Sequence, residues 1–485
     1  MARKFDLDPD GKRLPVRFDG TSNAEYVPLK LTSEQRRTNA LAHDMAGENA
    51  RRLGLGRRAF LTSSMGAATV LAACNRSNVG AGGNYNLPDE ASLDAAAADS
   101  AIGGNDFIFD VQLHCVDPKA AWTKGAEGGQ WRAALGQAFP QAVKCTTGEY
   151  DCYSAQALVK EVFLDSDTDA GVVSALFGTD EGNPTPIAYA ARARELVEGL
   201  GGGKKSCLIH GGILPNIPGE IAGMESKARV HKVAAWKLYP QWGPDGRGYF
   251  LDSSPLADQV FAEARRLGVK TFAVHKGVSL YGQQQDLSSP RDMGAAAVKN
   301  PDLTFLVYHS GFQPGVTEGA YDPNGGGVDR LIRAHKDAGL KRNQGNLYAE
   351  LGACWRYFMG RPDEAAHVIG KLLATFGEER IMWGTDCLWF GSPQDQIQAF
   401  RTFQISEEYQ EKYGYPALTA EAKRKIFGLN AARVYDLDVP GIKTAALDET
   451  RSAYREEANP SFASYGPSTR RQFLALHKEH GGRPG

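Results

Sequence analysis

The chain is short of several things that would have decided its class at once. None of its apolar runs approaches the roughly 20 residues that a membrane-spanning helix needs. Its seven cysteines contain no Cys-x-x-Cys pair, which excludes zinc fingers and thioredoxin-type redox motifs. The formal net charge of −2 gives no attraction for nucleic acid or an anionic membrane surface. No Gly-rich phosphate loop follows the first strand-like run, which argues against a dinucleotide-binding open sheet. Histidine is scarce, ten among 485 residues, so each one can be weighed individually. Cys145 and Cys152 are near enough in sequence for a small disulfide loop, although buried or free thiols are the preferred reading of the six cysteines other than Cys74.

What is present begins with an asymmetric arm. Residues 1–74 carry 12 Lys/Arg against 8 Asp/Glu, so the arm is basic and the body mildly acidic. Within it, Gly56-Arg-Arg-Ala-Phe-Leu-Thr62 precedes a short, weakly apolar run ending near Ala73. Paired arginines, Phe-Leu and a run too short to span a bilayer resemble a twin-arginine export signal. The resemblance implies the twin-arginine machinery as a partner and an exported, periplasmic protein. Leu71-Ala-Ala-Cys74 resembles a lipobox, which would make Cys74 a lipid anchor; an ordinary cleavage site reads equally well. A start at Met45 would give a signal of ordinary length. Arg470–Leu474 repeats the arginine pattern without an apolar run after it. Residues 75–105, rich in Gly, Ala, Asn and Asp, read as a flexible linker.

From Asp106 strands and helices alternate. Strand-like runs fall at Phe107–His114, Gly171–Phe177, Ser206–Gly211, Val233–Tyr239, Val269–His275, Leu303–His309, Asn346–Leu351 and Arg380–Asp386. Leu256–Gly268 between two of them has apolar residues at helical spacing and a terminal Gly. Pro186–Leu200 and Pro362–Phe376 likewise open on Pro and stop before Gly. Eight such alternations predict an α/β fold, a (β/α)8 barrel over residues 106–440 followed by a tail at 441–485. The long connections Cys115–Ser154, with Trp122, Trp131 and Arg132, and Pro240–Tyr249 are the ones expected to cover a substrate.

The stretch Asp106–Asp117 carries the chemistry. Gln112 and His114, two apart on a strand, share one face. Later strands end in His275, His309 and Asp386, one ligand-type residue each, and a barrel gathers such residues at its C-terminal rim. Two imidazoles and a carboxylate suit one divalent ion, zinc first, with positions left for water and substrate.

Asp110-Val-Gln-Leu-His114, His275, Tyr308-His-Ser-Gly311 and Trp383-Gly-Thr-Asp386 together resemble the amidohydrolase superfamily. The nearest branch is the one that includes aminocarboxymuconate-semialdehyde decarboxylase, and the tail Leu418–Tyr435 is similar to that group's closing helix. The resemblance implies one divalent metal held by His114, His275 and Asp386, with Gln112 standing where the branch has a histidine. Asp386 would move the proton and His309 would steer the attacking water. An amide in place of imidazole implies a weaker site, in which manganese competes with zinc. Lys237, Glu350, Arg356 and His210 are candidate contacts to a small-molecule substrate. Glu350 and Arg356 are placed to hold a substrate carboxylate or each other, and His210 reads equally well as structural. The remaining histidines, at 43, 231, 335, 367, 477 and 480, read as solvent-facing.

These features predict an exported metal-dependent hydrolase acting on an ester, lactone or amide. Two other readings stand beside it: non-oxidative decarboxylation of an aromatic or unsaturated acid on the same ligands, and a non-catalytic binding protein on a decayed barrel.

Overall fold

The computed structural model describes residues 11, 14–18, 31–138, 149–201, 205–244, 247–278 and 285–457. Strand β1 (Gly83–Tyr85) precedes eight strands that form one parallel sheet in sequence order. These are β2 (Phe109–Leu113), β3 (Ala170–Val173), β4 (Cys207–Ile213), β5 (Ala235–Leu238), β6 (Thr271–His275), β7 (Thr304–Tyr308), β8 (Leu347–Glu350) and β9 (Ile381–Met382). The ring closes between its last and first members: Val111 N–H donates to Trp383 O at 3.1 Å and Asp386 N–H to Gln112 O at 3.0 Å. This is the expected (β/α)8 barrel.

Each intervening helix buries one face on the strands. Helix Pro255–Leu267 shows the local logic: Ser254 caps its start, Pro255 occupies the first turn, and Gly268 ends it at φ +76°. Its Val260, Phe261 and Ala264 are buried. Inside the ring Phe109, Val111, Val172, Ala235, Ala273, Leu306 and Met382 fill the lower layers. Tyr435 from the closing helix packs against Phe109 from below, ring centroids 5.6 Å apart.

One sequence reading is corrected here, that of residues 75–105, and two flanking regions are folded as well. In the arm, α1 (Ser33–Arg52) packs on α3 (Ser64–Ser77) through Ala42, Ala46 and Ala50, with α2 (Arg57–Leu61) between them. Its polar composition hid a stripe of alanines at spacing four, which is enough to seat one helix closely on another. The supposed linker is ordered too. β1 pairs antiparallel with β10 (Phe403–Ile405), and α4 (Ala95–Ile102) follows. In the tail, helix Ala445–Glu457 is held by Arg451, which is buried against Asp169 at 3.1 Å and Phe163 O at 2.8 Å. The repeat at Arg470–Leu474, with His477 and His480, lies outside the described residues. Among the described residues no helix is long and apolar enough to cross a membrane.

His43, His335 and His367, expected on the surface, are 0%, 3% and 8% exposed. His335 lies against Phe376 and His367 among Tyr409, Tyr413 and Tyr415, so each imidazole serves as a packing ring. Cys152 is disulfide-bonded, against the reading of thiols, and Cys145 lies outside the described residues. Cys74, Cys115, Cys207, Cys354 and Cys387 are free and buried.

Candidate active site

The strand ends converge at the C-terminal rim. The register between β2 and β3 shifts between Asp110 and Leu113, and from within and just past this irregularity Gln112 and His114 both reach Asp386. Gln112 Nε2 lies 2.9 Å from Asp386 Oδ1 and 3.3 Å from His114 Nε2, and that nitrogen lies 3.1 Å from the same carboxylate oxygen. All three side chains are fully buried. His114 Nδ1 lies 3.0 Å from Ser174 O, so Nδ1 carries a proton and Nε2 is the nitrogen turned to the carboxylate. The Gln112 amide nitrogen stands against both groups.

A second pair stands beside the first. His309 Nε2 and His275 Nδ1 are 3.3 Å apart. The outer nitrogens are again tied to backbone carbonyls, His309 Nδ1 to Gly352 O at 2.9 Å and His275 Nε2 to Val278 O at 2.6 Å. Pinning one ring nitrogen to a carbonyl while the other points inward is the arrangement that orients metal-binding imidazoles.

Glu350 anchors the backbone of the second pair. It accepts His309 N–H at 2.9 Å and Gly352 N–H at 2.6 Å. A methyl group on Gly352 would stand 2.1 Å from Gln112 Oε1, and one on Gly384 would stand 1.7 Å from Glu350 Oε1. Both positions therefore need glycine. Burial pushes Glu350 up to about 8, with Asp110 adding to the rise while His309 and the two backbone donors oppose it. Burial also pushes Asp110 up to about 7, although Thr385 and the backbone of Gln112 hydrogen-bond to it. His309 and Asp386 adopt φ of +64° and +62°, left-handed values that non-glycine residues hold only under constraint and that cluster at functional sites.

Aromatic rings wall the site. Trp389 stacks on His114 at 5.8 Å with Tyr153 behind it at 5.6 Å. Tyr239 stacks on His275 at 4.8 Å. The two long connections meet above, where Trp131 and Trp242 both lie on Phe177, at 4.5 and 5.7 Å, and Phe177 contacts Tyr239 at 5.8 Å. Lys237 Nζ sits 3.9 Å over the Tyr308 ring and 4.5 Å over that of Tyr239, fully buried.

The remaining candidates fare differently. His210 is held at both ring nitrogens, by Tyr435 Oη at 2.8 Å and by Ser174 Oγ and Tyr308 Oη at 3.3 Å, so it serves the barrel's interior packing. Arg356 binds Asp395 at 2.7 Å, both buried, so its carboxylate partner is internal. Sequence reasoning missed Tyr239, Trp389, Gly352 and Gly384 as parts of the site. The glycines carried a signal in lying two residues from Glu350 and Asp386. The aromatic residues carried none, since only the fold sets them against histidines.

The donor chemistry suits a divalent ion. Separations of 2.9–3.3 Å match those expected between neighbouring ligands about 2.1 Å from one cation. Among the described residues no three His, Cys, Asp or Glu side chains form a metal-holding group, so the triangle depends on the Gln112 amide. Gln112 presents its nitrogen, and its oxygen is buried without a hydrogen-bond partner. The amide fits an ion with that oxygen turned inward.

The folds of several solved structures are similar. One is 5-carboxyvanillate decarboxylase from Novosphingobium aromaticivorans with bound manganese, at 13% identity and a TM-score of 0.45, covering 73% of this chain and all of that one. 2,6-Dihydroxybenzoate decarboxylase from Rhizobium shares 15% identity, TM-score 0.41, over 69% of this chain and all of that one. 4-Oxalomesaconate hydratase from Rhodopseudomonas palustris shares 16%, TM-score 0.39, over 73% and all of its length. No curated protein is matched by the sequence. The amidohydrolase family model matches residues 169–437, from β3 to the closing helix, which is more than half of the chain and includes His275, His309 and Asp386. With a parallel eight-stranded barrel bearing these residues at its strand ends, the chain belongs to the amidohydrolase family.

Proposed function

We propose that this enzyme removes carbon dioxide, without an oxidant, from an aromatic or unsaturated carboxylic acid, and that it uses one divalent metal ion. The observation that carries this reading is a buried cation among aromatic faces: Lys237 between the Tyr239 and Tyr308 rings, next to His275. A buried positive charge walled by aromatic rings suits a planar carboxylate and strips it of hydration, which favours loss of carbon dioxide over attack by water. The reaction class is the one named for the carboxyvanillate and dihydroxybenzoate decarboxylases of similar fold.

His114, Asp386 and Gln112 would hold the ion, zinc or manganese, which when bound supplies Lewis-acid polarisation of a substrate oxygen; His275, paired with His309, stands beside that triangle. Lys237 seats the negative charge of the substrate. Tyr239 and Trp389 clamp its plane. The bond from the ring or alkene carbon to the carboxyl carbon breaks, its electrons stay on that carbon, and a proton carried by Asp386 replaces the departing carbon dioxide. His309, pinned by Gly352 O, orients the reacting group beside it.

Hydrolysis of an ester, lactone or amide would use the same Asp386 and His309, so product analysis separates the two. Metal-loaded protein is incubated with hydroxylated benzoates and, separately, with aryl esters and lactones. Release of carbon dioxide without consumption of water supports the proposal. Turnover of the esters or lactones alone overturns it.

We also propose export by way of Arg57-Arg58, to the periplasm or to a lipid anchor at Cys74. The disulfide at Cys152 supports an oxidising compartment.

A further inference from the structure

Outside the aromatic-walled centre, a cavity of about 560 Å³ opens at the same rim. It is bounded by Phe250, Asp286, Ser288, Arg291, Gln313 and Arg330. Its walls are continuous with the segments that carry the catalytic histidines. Gly277, two residues past His275, donates its N–H to Ser288 O at 2.7 Å. Arg330 Nη2 donates to Gly311 O at 3.0 Å, two residues past His309.

The charges in this cavity are out of balance. Among the described residues neither Arg291 nor Arg330 forms an ion pair, whereas nearby Lys276 is matched by Asp292 at 2.8 Å. Arg330 satisfies itself on the backbone oxygens of Gly311 and Gly327, and burial holds it below the usual arginine range. The Arg291 guanidinium carbon sits over the Phe250 ring, 3.8 Å from its centroid. Asp286 on the rim offsets one of the two charges. A guanidinium fork with hydroxyl and amide groups close by is built for a carboxylate, and an aromatic face beside it is built for a planar carbon skeleton.

We infer that this cavity is a second binding site, one for a carboxylate-bearing planar organic anion, set beside the catalytic centre. The inference rests on the reading that the substrate is a carboxylic acid, and it gives that anion a place to collect before entering the centre. Arg291 is the specificity-determining residue, since Arg330 also fixes the Gly311 turn.

The probe is benzene-1,3-dicarboxylate, titrated calorimetrically into the full chain and into Asp386→Asn protein, with the uncharged diamide as control. The dianion is expected to bind both proteins, more weakly as salt rises, and the diamide is not. Arg291→Gln should weaken binding about tenfold and Arg291→Glu further, in both backgrounds. Binding that is unchanged by both Arg291 variants overturns the inference, whether or not Asp386→Asn abolishes it. A protein that binds the dianion through Arg291 yet releases carbon dioxide from no carboxylate upholds this site and sinks the decarboxylase reading instead.

Discussion

Gln112 Nε2 donates to Asp386 Oδ1 across 2.9 Å, so that an amide ties the first strand of the barrel to the segment after the last one at the point where His114 and Asp386, the two strongest proposed ligands, meet. A neutral N–H donor occupies the place a cation would take between His114 and Asp386. For an ion to bind, this hydrogen bond must break and the amide must turn.

That competition sets the first prediction. Gln112→Glu replaces the donor with a charged oxygen ligand, and Gln112→His adds an imidazole. Either should tighten divalent-ion binding at least tenfold in competition with a chelator, Glu favouring Mn²⁺ and His favouring Zn²⁺. Unchanged affinity in both variants would show that the ion does not sit at this triangle.

Asp386 and His309 should separate in their effects. Asp386→Asn removes a ligand and the proposed proton carrier, so metal content and nearly all turnover should fall together. His309→Ala should lower kcat by roughly 10²–10⁴-fold with most of the metal retained. Small, equal losses in both variants would place the catalytic centre elsewhere.

Gly352→Ala and Gly384→Ala test the packing of the centre. Each added methyl meets a buried polar oxygen, at 2.1 and 1.7 Å, that has little room to move. Each should cost about 1–3 kcal/mol of stability and displace Gln112 or Glu350. Thermal unfolding and metal titration read the two effects separately. Wild-type values in both would show that the site is looser than described.

Glu350 gives the fold a pH dependence. Its carboxyl, raised to about 8 by burial, holds a proton in the folded state that the unfolded chain releases near its ordinary value of 4.5. The resulting stabilisation is complete below that ordinary value and is lost as pH rises through about 8. In chelator-treated protein, Tm should therefore fall between about pH 4.5 and 8, by about 3–5 °C more in the wild type than in Glu350→Gln. The variant's absolute Tm should be lower, because its amide NH2 faces a backbone N–H. Parallel pH profiles would remove Glu350 as the source.

The arm makes a prediction about processing. Changing Arg57 and Arg58 to Lys should hold the protein, folded, in the cytoplasm. Phe60, Leu61, Val70, Leu71 and Cys74 are buried in the folded core, so protein cut at Cys74 loses that contact and should unfold at lower temperature than the full chain. Intact mass of exported protein gives the cut site, and calorimetry of the two forms gives the cost. Export that continues with both arginines replaced would end the twin-arginine reading.

The sequence alone determined the barrel, because eight apolar runs of strand length separated by helical periodicity have few other ways to bury both faces. It also determined which strand ends carry Gln112, His114, His275, His309 and Asp386, since alternation along a strand fixes facing from local spacing. Contacts between distant segments were beyond it. Only tertiary structure set the Gln112 amide on Asp386, 274 positions away, gave Arg356 to Asp395, and pinned His210 on Tyr435. The order in residues 33–102 was hidden for the same reason. An alanine stripe and a three-residue strand have no strong local preference, and become structure only because α3 and β10 are there to receive them.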